Sequence, residues 1–367
     1  MVDLIKTPRR RLLLCLAFFF CSLGAQARPL KITFLNPATE KEVFWSQFTS
    51  FMEFAADDLG VDLEVVYSNH DRFKSLEIAR RILASPDKPD FLVFQMQAQV
   101  GPQILAAAED AKVGSLVVNT DIPEQDRARV GEPREKYRYW LGHLFPDDQQ
   151  AGYTLAEALV KSAQDHETDN PIELVALSGS RDNQATRDRN RGLENFVRDH
   201  GNVELKQIVY ASWDRQIARN MAHTLLRRYP KTRVIWAASD LMALGAVEAS
   251  RVAGRTVEQD VFVGGVDWTT EGLRAVANDH LTASVGGHFM EGGWAIVLLY
   301  DYARGKDFAP TMGTTIRTPM NLATKENAGR FLAQTTANDW SEIDFRQFSR
   351  TFHPTREEYE FCLCAAE

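Results

Sequence analysis

The chain has 367 residues, 44% hydrophobic and 25% charged, with a formal net charge of −8. That is ordinary globular composition, at a length that suggests two domains. The acidic balance, with no clustered Lys and Arg, argues against a nucleic-acid partner.

The first 27 residues stand apart. Lys6, Arg9, Arg10 and Arg11 form a basic start, Leu12 to Leu23 an apolar core, and Ala25-Gln-Ala27 an A-x-A ending. This order is that of a secretory signal peptide, with cleavage expected after Ala27. The apolar core is shorter than the roughly 20 residues needed to span a bilayer. Of the four cysteines, Cys15 and Cys21 lie in this segment; Cys362 and Cys364 lie near the other end. The latter two could form a tight C-x-C disulfide in an oxidising compartment or stay free on a tail. No metal-ligand spacing accompanies them.

Strand and helix patterns then alternate. Leu30 to Leu35 reads as a strand stopped by Asn36-Pro37, and Phe44 to Leu59 as a helix ended by Gly60. Val61 to Tyr67 alternates as a strand, Phe73 to Leu83 is helical, and Asp90 to Phe94 is a third strand. Gln103 to Ala111 reads as helix, Ser115 to Val118 as strand, and 121–135 as a polar surface loop; Tyr139 to Gly142 is a short fifth strand. The pattern restarts with helix Gln149 to Ser162, strand Ile172 to Leu177 and helix Arg187 to His200. Strand Val203 to Tyr210 and helix Gln216 to Tyr229 follow. Two units then repeat one design: Val234 to Ala238 runs into Ser239-Asp240 and a helix, and Val261 to Val266 runs into Asp267-Trp268 and a helix. Alternation of this kind predicts parallel sheets covered on both faces, in two lobes. Small polar residues at strand ends fall where open α/β sheets bind ligands.

Four stretches carry a family resemblance: Ser239-Asp-Leu-Met-Ala-Leu-Gly-Ala246, Val263-Gly-Gly-Val-Asp267, Arg187-Asp-Arg-Asn-Arg-Gly192 and Trp213-Asp-Arg215. In order and spacing, from about Ile32 to Leu332, the chain resembles the sugar-binding branch of the type I periplasmic binding proteins, that of ribose-binding protein. Sugar-responsive repressors share these lobes, but they carry a DNA-binding helix-turn-helix where this chain has the basic-apolar segment.

The resemblance implies an α/β fold of two doubly wound parallel-sheet lobes joined by a three-strand hinge. Residues 28–145 and 288–315 would form the N-terminal lobe, 146–287 and 316–337 the C-terminal lobe, and 338–367 an extension. Crossings are expected near His143–Pro146, Gly286–Phe289 and Thr314–Thr318, with ligand held between the lobes. The resemblance and the strand ends together point to site residues. Asn36, Phe44 and Trp45 follow strand one, where aromatic faces can stack on the apolar face of a sugar ring. Gln95 and Gln97 end strand three, and their amides can both donate and accept. Asn119 and Asp121 end strand four, where an acid would take two hydroxyls. Arg189 matches an arginine whose fork suits vicinal hydroxyls or a carboxylate, and Trp213 a stacking aromatic. Ser239 stands where an Asn is common, Asp240 reads as a helix cap, and Asp267 matches an acceptor of hydroxyl hydrogens. His288 lies at a hinge.

An enzyme is disfavoured: no Gly-x-Ser-x-Gly, no His-Glu-x-x-His and no glycine-rich phosphate loop occurs. No cofactor is expected. The expected function is capture of a small sugar or polyol and delivery to the permease of an ABC importer in the inner membrane. The alternative partner is a membrane sensor protein, a kinase or cyclase.

Overall fold

A computed structural model describes residues 28–165, 171–336 and 339–361. The signal-peptide reading of 1–27 and the state of Cys362 and Cys364 therefore lie outside the described residues. The first lobe opens with β1 (Leu30–Asn36), α1 (Val43–Leu59), β2 (Val61–Tyr67), α2 (Arg72–Leu83) and β3 (Phe91–Gln95). It continues through α3 (Gly101–Ala111), β4 (Gly114–Val118), α4 (Glu124–Val130) and β5 (Trp140–Pro146). The second lobe holds α5 (Asp148–Gln164), β6 (Ile172–Ser178), α6 (Gln184–Asp199), β7 (Val203–Tyr210), α7 (Arg215–Arg228) and β8 (Thr232–Ala237). Then come α8 (Asp240–Val252), β9 (Phe262–Asp267), α9 (Thr270–Ala277) and β10 (Ala283–Gly286). A 3-10 turn at His288–Met290 leads back to α10 (Glu291–Ala303) and α11 (Ala309–Met312). Strand β11 (Thr315–Thr318) joins the first sheet; β12 (Asn321–Ala323) and α12 (Lys325–Thr335) return to the second lobe.

The first sheet has the order β2-β1-β3-β4-β5-β11 and is parallel throughout. The second runs β7-β6-β8-β9-β10-β12, with β12 antiparallel on its edge. The expected pair of doubly wound lobes is present; the one reversed strand arises because β12 doubles straight back from the first sheet. In both sheets the strand order reverses beside the first strand, at β1/β3 and β6/β8, which makes two facing switch points at carboxyl edges. The chain passes between the sheets three times, between Pro146 and Asp148, between Gly286 and His288, and between Thr318 and Asn321.

Local chemistry sets the helix ends. Gly60, at φ 64°, closes α1 in the left-handed region that costs glycine least. Asp71, Asn183, Asp214, Ser239 and Thr269 each accept a backbone N–H at the start of α2, α6, α7, α8 and α9. The segment 121–135 is not the loop expected: it carries the short helix α4, with acids Glu124 and Asp126 in its first turn. The described part of the extension, 339–361, packs onto the first lobe. Trp340, Phe345, Phe348 and Tyr359 complete the core that α1 and α10 share. Its anchor is Asp301 of α10, fully buried, which accepts from Ser349 Oγ (2.6 Å), Thr351 N (3.0 Å), Arg350 N (2.6 Å) and Tyr359 Oη (3.0 Å). No helix among the described residues is long and apolar enough to cross a membrane.

Candidate ligand-binding site

The two carboxyl edges enclose a cavity of about 220 Å³. That is below the roughly 300 Å³ at which drug-sized sites begin and leaves room for one small ring. The lobes meet around it: Arg72 of α2 pairs with Asp182, Gln47 Nε2 donates to the Trp268 carbonyl at 3.4 Å, and Arg187 reaches Gln125 Oε1 at 3.4 Å.

Arg189 is the centre of the wall. Its Nε donates to Asp148 Oδ1 at 2.6 Å, and its Nη1 donates to the Ala238 carbonyl at 2.7 Å and to Asp267 Oδ1 at 3.4 Å. Its Nη2 lies 3.3 Å from His288 Nε2. Burial and the nearby Arg189 hold His288 well below the ordinary imidazole pKa. The ring is therefore neutral, Nε2 accepts, and the proton sits on Nδ1, which has no hydrogen-bond partner among the described residues. This geometry depends on two glycines. A Cβ at Gly152 of α5 would lie 2.1 Å from the Arg189 carbonyl oxygen, and one at Gly192 of α6 would lie 2.0 Å from that of Gln149. The helices cross closely enough to join Asp148 to Arg189 only because both positions lack side chains.

The same burial perturbs the acids. Desolvation raises Asp148 to about 6 against the pull of Arg189, and raises Asp240 to about 6 as well. Desolvation raises Asp267 well above the ordinary carboxylate range, opposed by Arg189 and reinforced by Asp240 and Glu42.

Of the residues expected at the site, Phe44, Trp45, Gln95, Gln97, Asn119, Arg189, Trp213, Ser239, Asp267 and His288 line the cavity. Phe44 stacks on His288 with ring centres 4.5 Å apart, and Trp45 meets Phe44 edge-on at 5.3 Å. Gln95 Nε2 donates to Asn119 Oδ1 at 3.0 Å. The Trp213 ring lies over Gly179, where a Cβ would come within 2.1 Å of it. The Arg189 guanidinium carbon stands 5.8 Å from the Trp213 ring centre.

Two expected residues stand elsewhere. Asn36 is fully buried behind the wall; its Oδ1 accepts from Ala38 N at 2.9 Å and its Nδ2 donates to Thr49 Oγ1 at 3.0 Å, so both ends of the amide are used in the turn after β1. Asp121 turns away to Arg127 on α4, at 2.7 Å, and to its neighbouring N–H at Ile122. Asn119, two residues earlier, occupies the wall instead. The cap of α8 is also reassigned: Ser239 Oγ accepts from Met242 N. Asp240 instead ties Thr269 and Ser284 together, at 2.8 Å to Thr269 N and 2.7 Å to Ser284 Oγ.

Several wall residues carried no signal in the sequence. Glu42 and His70 sit in turns of the first lobe and Arg72 opens α2; Asp182 and Asn183 precede α6, and Gln184 opens it. Asp148 reads only as an acid in a first helical turn, a common dipole partner. Among the described residues no group of three His, Cys, Asp or Glu side chains could hold a metal ion.

Residues 32–307 match the family model described as periplasmic binding protein domain. A solved structure of a periplasmic sugar-binding protein from Pseudomonas fluorescens is 33% identical, with a TM-score of 0.81 over 90% of this chain and 96% of that one. The ribose import binding protein of Salmonella typhimurium (strain LT2) is 27% identical over 63% of this chain and 70% of its own. The arabinose transporter's binding protein from Shewanella sp. ANA-3, at 20% identity and a TM-score of 0.71 over 83% of this chain and 95% of that one, shares the fold. With the match spanning both lobes and the cavity between them, the chain belongs to the periplasmic binding protein domain family, and it is a solute-binding protein and not an enzyme.

Proposed function

We propose that this protein captures one small sugar or sugar-like polyol between its lobes and delivers it to the permease of an ABC importer. The observation that carries the reading is the make-up of the cavity. The aromatic faces of Phe44, Trp45 and Trp213 stand around an Arg189–Asp267 pair, in a space sized for one ring. Aromatic faces bury the C–H surface of a sugar, and the guanidinium and carboxylate take its hydroxyls. Asn119, Gln95 and Ser239 add short polar groups at strand ends. The protein would work in the periplasm after removal of residues 1–27. Relatives named for ribose import and for D-allose binding support a sugar as the class of solute.

The test is a thermal-shift panel of pentoses, hexoses and polyols, followed by calorimetry on every compound that shifts the melt. A true ligand at 100-fold its Kd adds about 2.7 kcal/mol of stability. A panel in which no member shifts the melting temperature overturns the reading.

A further inference from the structure

A second cavity, of about 540 Å³, lies where the chain crosses between the lobes. Its volume falls within the roughly 300–1,000 Å³ of small-molecule sites. Gly287 and His288 of the second crossing line it, as do Thr318, Pro319 and Asn321 of the third. His288 also lines the first cavity. The other walls come from three parts of the fold: Trp294 and Ile316 from the first lobe, Trp268 and Phe331 from the second, and Trp340 and Phe361 from the extension.

Three features of this wall select an occupant. The first is its aromatic area. Phe331 stacks on Trp268 with ring centres 3.9 Å apart, Phe289 on Trp340 at 5.2 Å and Trp294 on Phe361 at 4.8 Å. Such a surface buries an apolar body and offers little to a polyol. The second is the Trp340 indole, 1% exposed, whose Nε1–H has no hydrogen-bond partner among the described residues. Buried indole N–H groups normally donate, so an occupant with an acceptor suits this wall.

The third is charge. Arg330 of α12 is exposed and has no hydrogen bond or ion pair among the described residues. Arg317 of β11, from the other lobe, lies 4.0 Å from Asp147. The one acid in the wall is Glu291, fully buried, whose Oε1 accepts from the Thr318 hydroxyl. Burial raises its pKa well above the ordinary carboxylate range, against the Thr318 bond, so it brings no negative charge at neutral pH. The Arg330 guanidinium is thus left to meet an anion at the solvent-facing side of the cavity.

We propose that this cavity is a second ligand site and takes a small amphipathic carboxylate, its apolar body among the aromatic rings and its charge towards Arg330. Carboxylate oxygens are strong acceptors and match a guanidinium fork. The proposal does not depend on what the first cavity holds.

Calorimetry with three matched pairs tests it: phenylacetate against phenylacetamide, indole-3-acetate against indole-3-acetamide, and hexanoate against hexanamide. The proteins are wild type, Arg330→Gln, Trp213→Ala and Met312→Trp, the last adding bulk at a half-buried lining position on α11. Melting temperature checks that each variant folds. The expected result is at least one acid that binds wild type at a single site, threefold or more tighter than its amide, a modest ratio because water screens Arg330. That ratio should fall towards one in Arg330→Gln. The acid's affinity should fall tenfold or more in Met312→Trp and be kept in Trp213→Ala. Amides that bind as tightly as their acids overturn the proposal, and so does a preference that survives Arg330→Gln. Binding lost in Trp213→Ala but kept in Met312→Trp places the acid in the first cavity and overturns the second site. If none of the three acids binds, the proposal falls and the reading of the first cavity stands untouched.

Discussion

Replacing Arg189 with Ala leaves Asp148 and Asp267 buried without their cation, and the cost has a distinctive pH dependence. Each carboxyl must then stay ionised in the wall or take up a proton. Proton uptake sets the ceiling, because it costs about 1.4 kcal/mol for each pH unit above the free-carboxyl value near 3.9. In the native protein Asp148 titrates at about 6. Its contribution to stability is therefore fully present below pH 4 and is lost as pH rises to 6. Above 6 the native carboxyl is ionised against Arg189 and the loss stops. In Arg189→Ala the carboxyl stays protonated to higher pH, so the loss continues. From Asp148 alone the deficit relative to wild type is near zero at pH 5, about 1.4 kcal/mol at pH 7 and about 2.7 kcal/mol at pH 8. Asp267 is raised as well, and loss of Arg189 pushes it further in the same direction. A pH-independent part, from the lost bond to the Ala238 carbonyl at 2.7 Å and the vacated volume, lies beneath it.

Urea unfolding of wild type and Arg189→Ala at pH 5 and pH 8 measures this directly. Adding Asp148→Asn removes one titrating group and should flatten the pH-dependent part. A deficit equal at pH 5 and pH 8 refutes the reasoning, because it would mean that Arg189 holds the wall by packing and not by charge.

Two further outcomes follow from particular contacts. Gly179→Ala places a Cβ 2.1 Å from the Trp213 ring and displaces it, so affinity should fall tenfold or more in calorimetry while the melting temperature drops modestly; unchanged affinity would remove Trp213 from the ligand's wall. Asp301→Ala strips the anchor from 339–361, where each bond to the charged acceptor is worth about 1.5–3 kcal/mol. Trypsin should then cut early at Arg346, Arg350 or Arg356 with ligand affinity retained, and a cleavage pattern like that of wild type would show that the aromatic contacts alone hold the segment.

Much of the fold was legible because buried parallel strands are apolar runs and the helices between them are amphipathic. The last helix of the first-lobe core was not. Helix α10 is buried on nearly every side, so Trp294, Ile296, Val297, Leu298 and Leu299 show no helical period, and Glu291-Gly-Gly293 disguises its start. The strand ends pointed to Asn119, Ser239 and Asp267, since a strand's length fixes where its edge lies. They failed at Asn36 and Asp121, where the decision rests on the next turn. Asn36 closes a turn on Ala38, and Asp121 pairs with Arg127 on a helix that the charged composition of 124–130 concealed. Glu42, His70 and Arg72 were invisible for a different reason. They lie at or just before the starts of α1 and α2, positions with no periodic pattern of their own; Glu42 meets His70, and Arg72 meets Asp182 of the other lobe.

Backbone conformation supplies what composition cannot. Asn119 (φ 71°), Trp213 (φ 66°) and Asp267 (φ 129°), followed by Trp268 (φ 59°), hold positive φ at or just beyond the ends of β4, β7 and β9. Such conformations cost on the order of 1–3 kcal/mol each for residues with side chains. The first three residues line the cavity, two of them in one lobe and one in the other. Trp268 reaches the opposite lobe by its carbonyl, which accepts from Gln47, while its ring stacks on Phe331 at 3.9 Å. An ordinary extended exit would carry each chain straight off the sheet and aim these side chains along the strand. The left-handed step turns them across the edge, towards the facing lobe. The strain is sustained by the sheet cores on which the strand ends rest, where Val118, Val209 and Val266 are packed. At these three positions the wall is thus shaped by the folding of each lobe separately. A ligand that touches residues of both lobes favours the state in which they meet by those contacts alone.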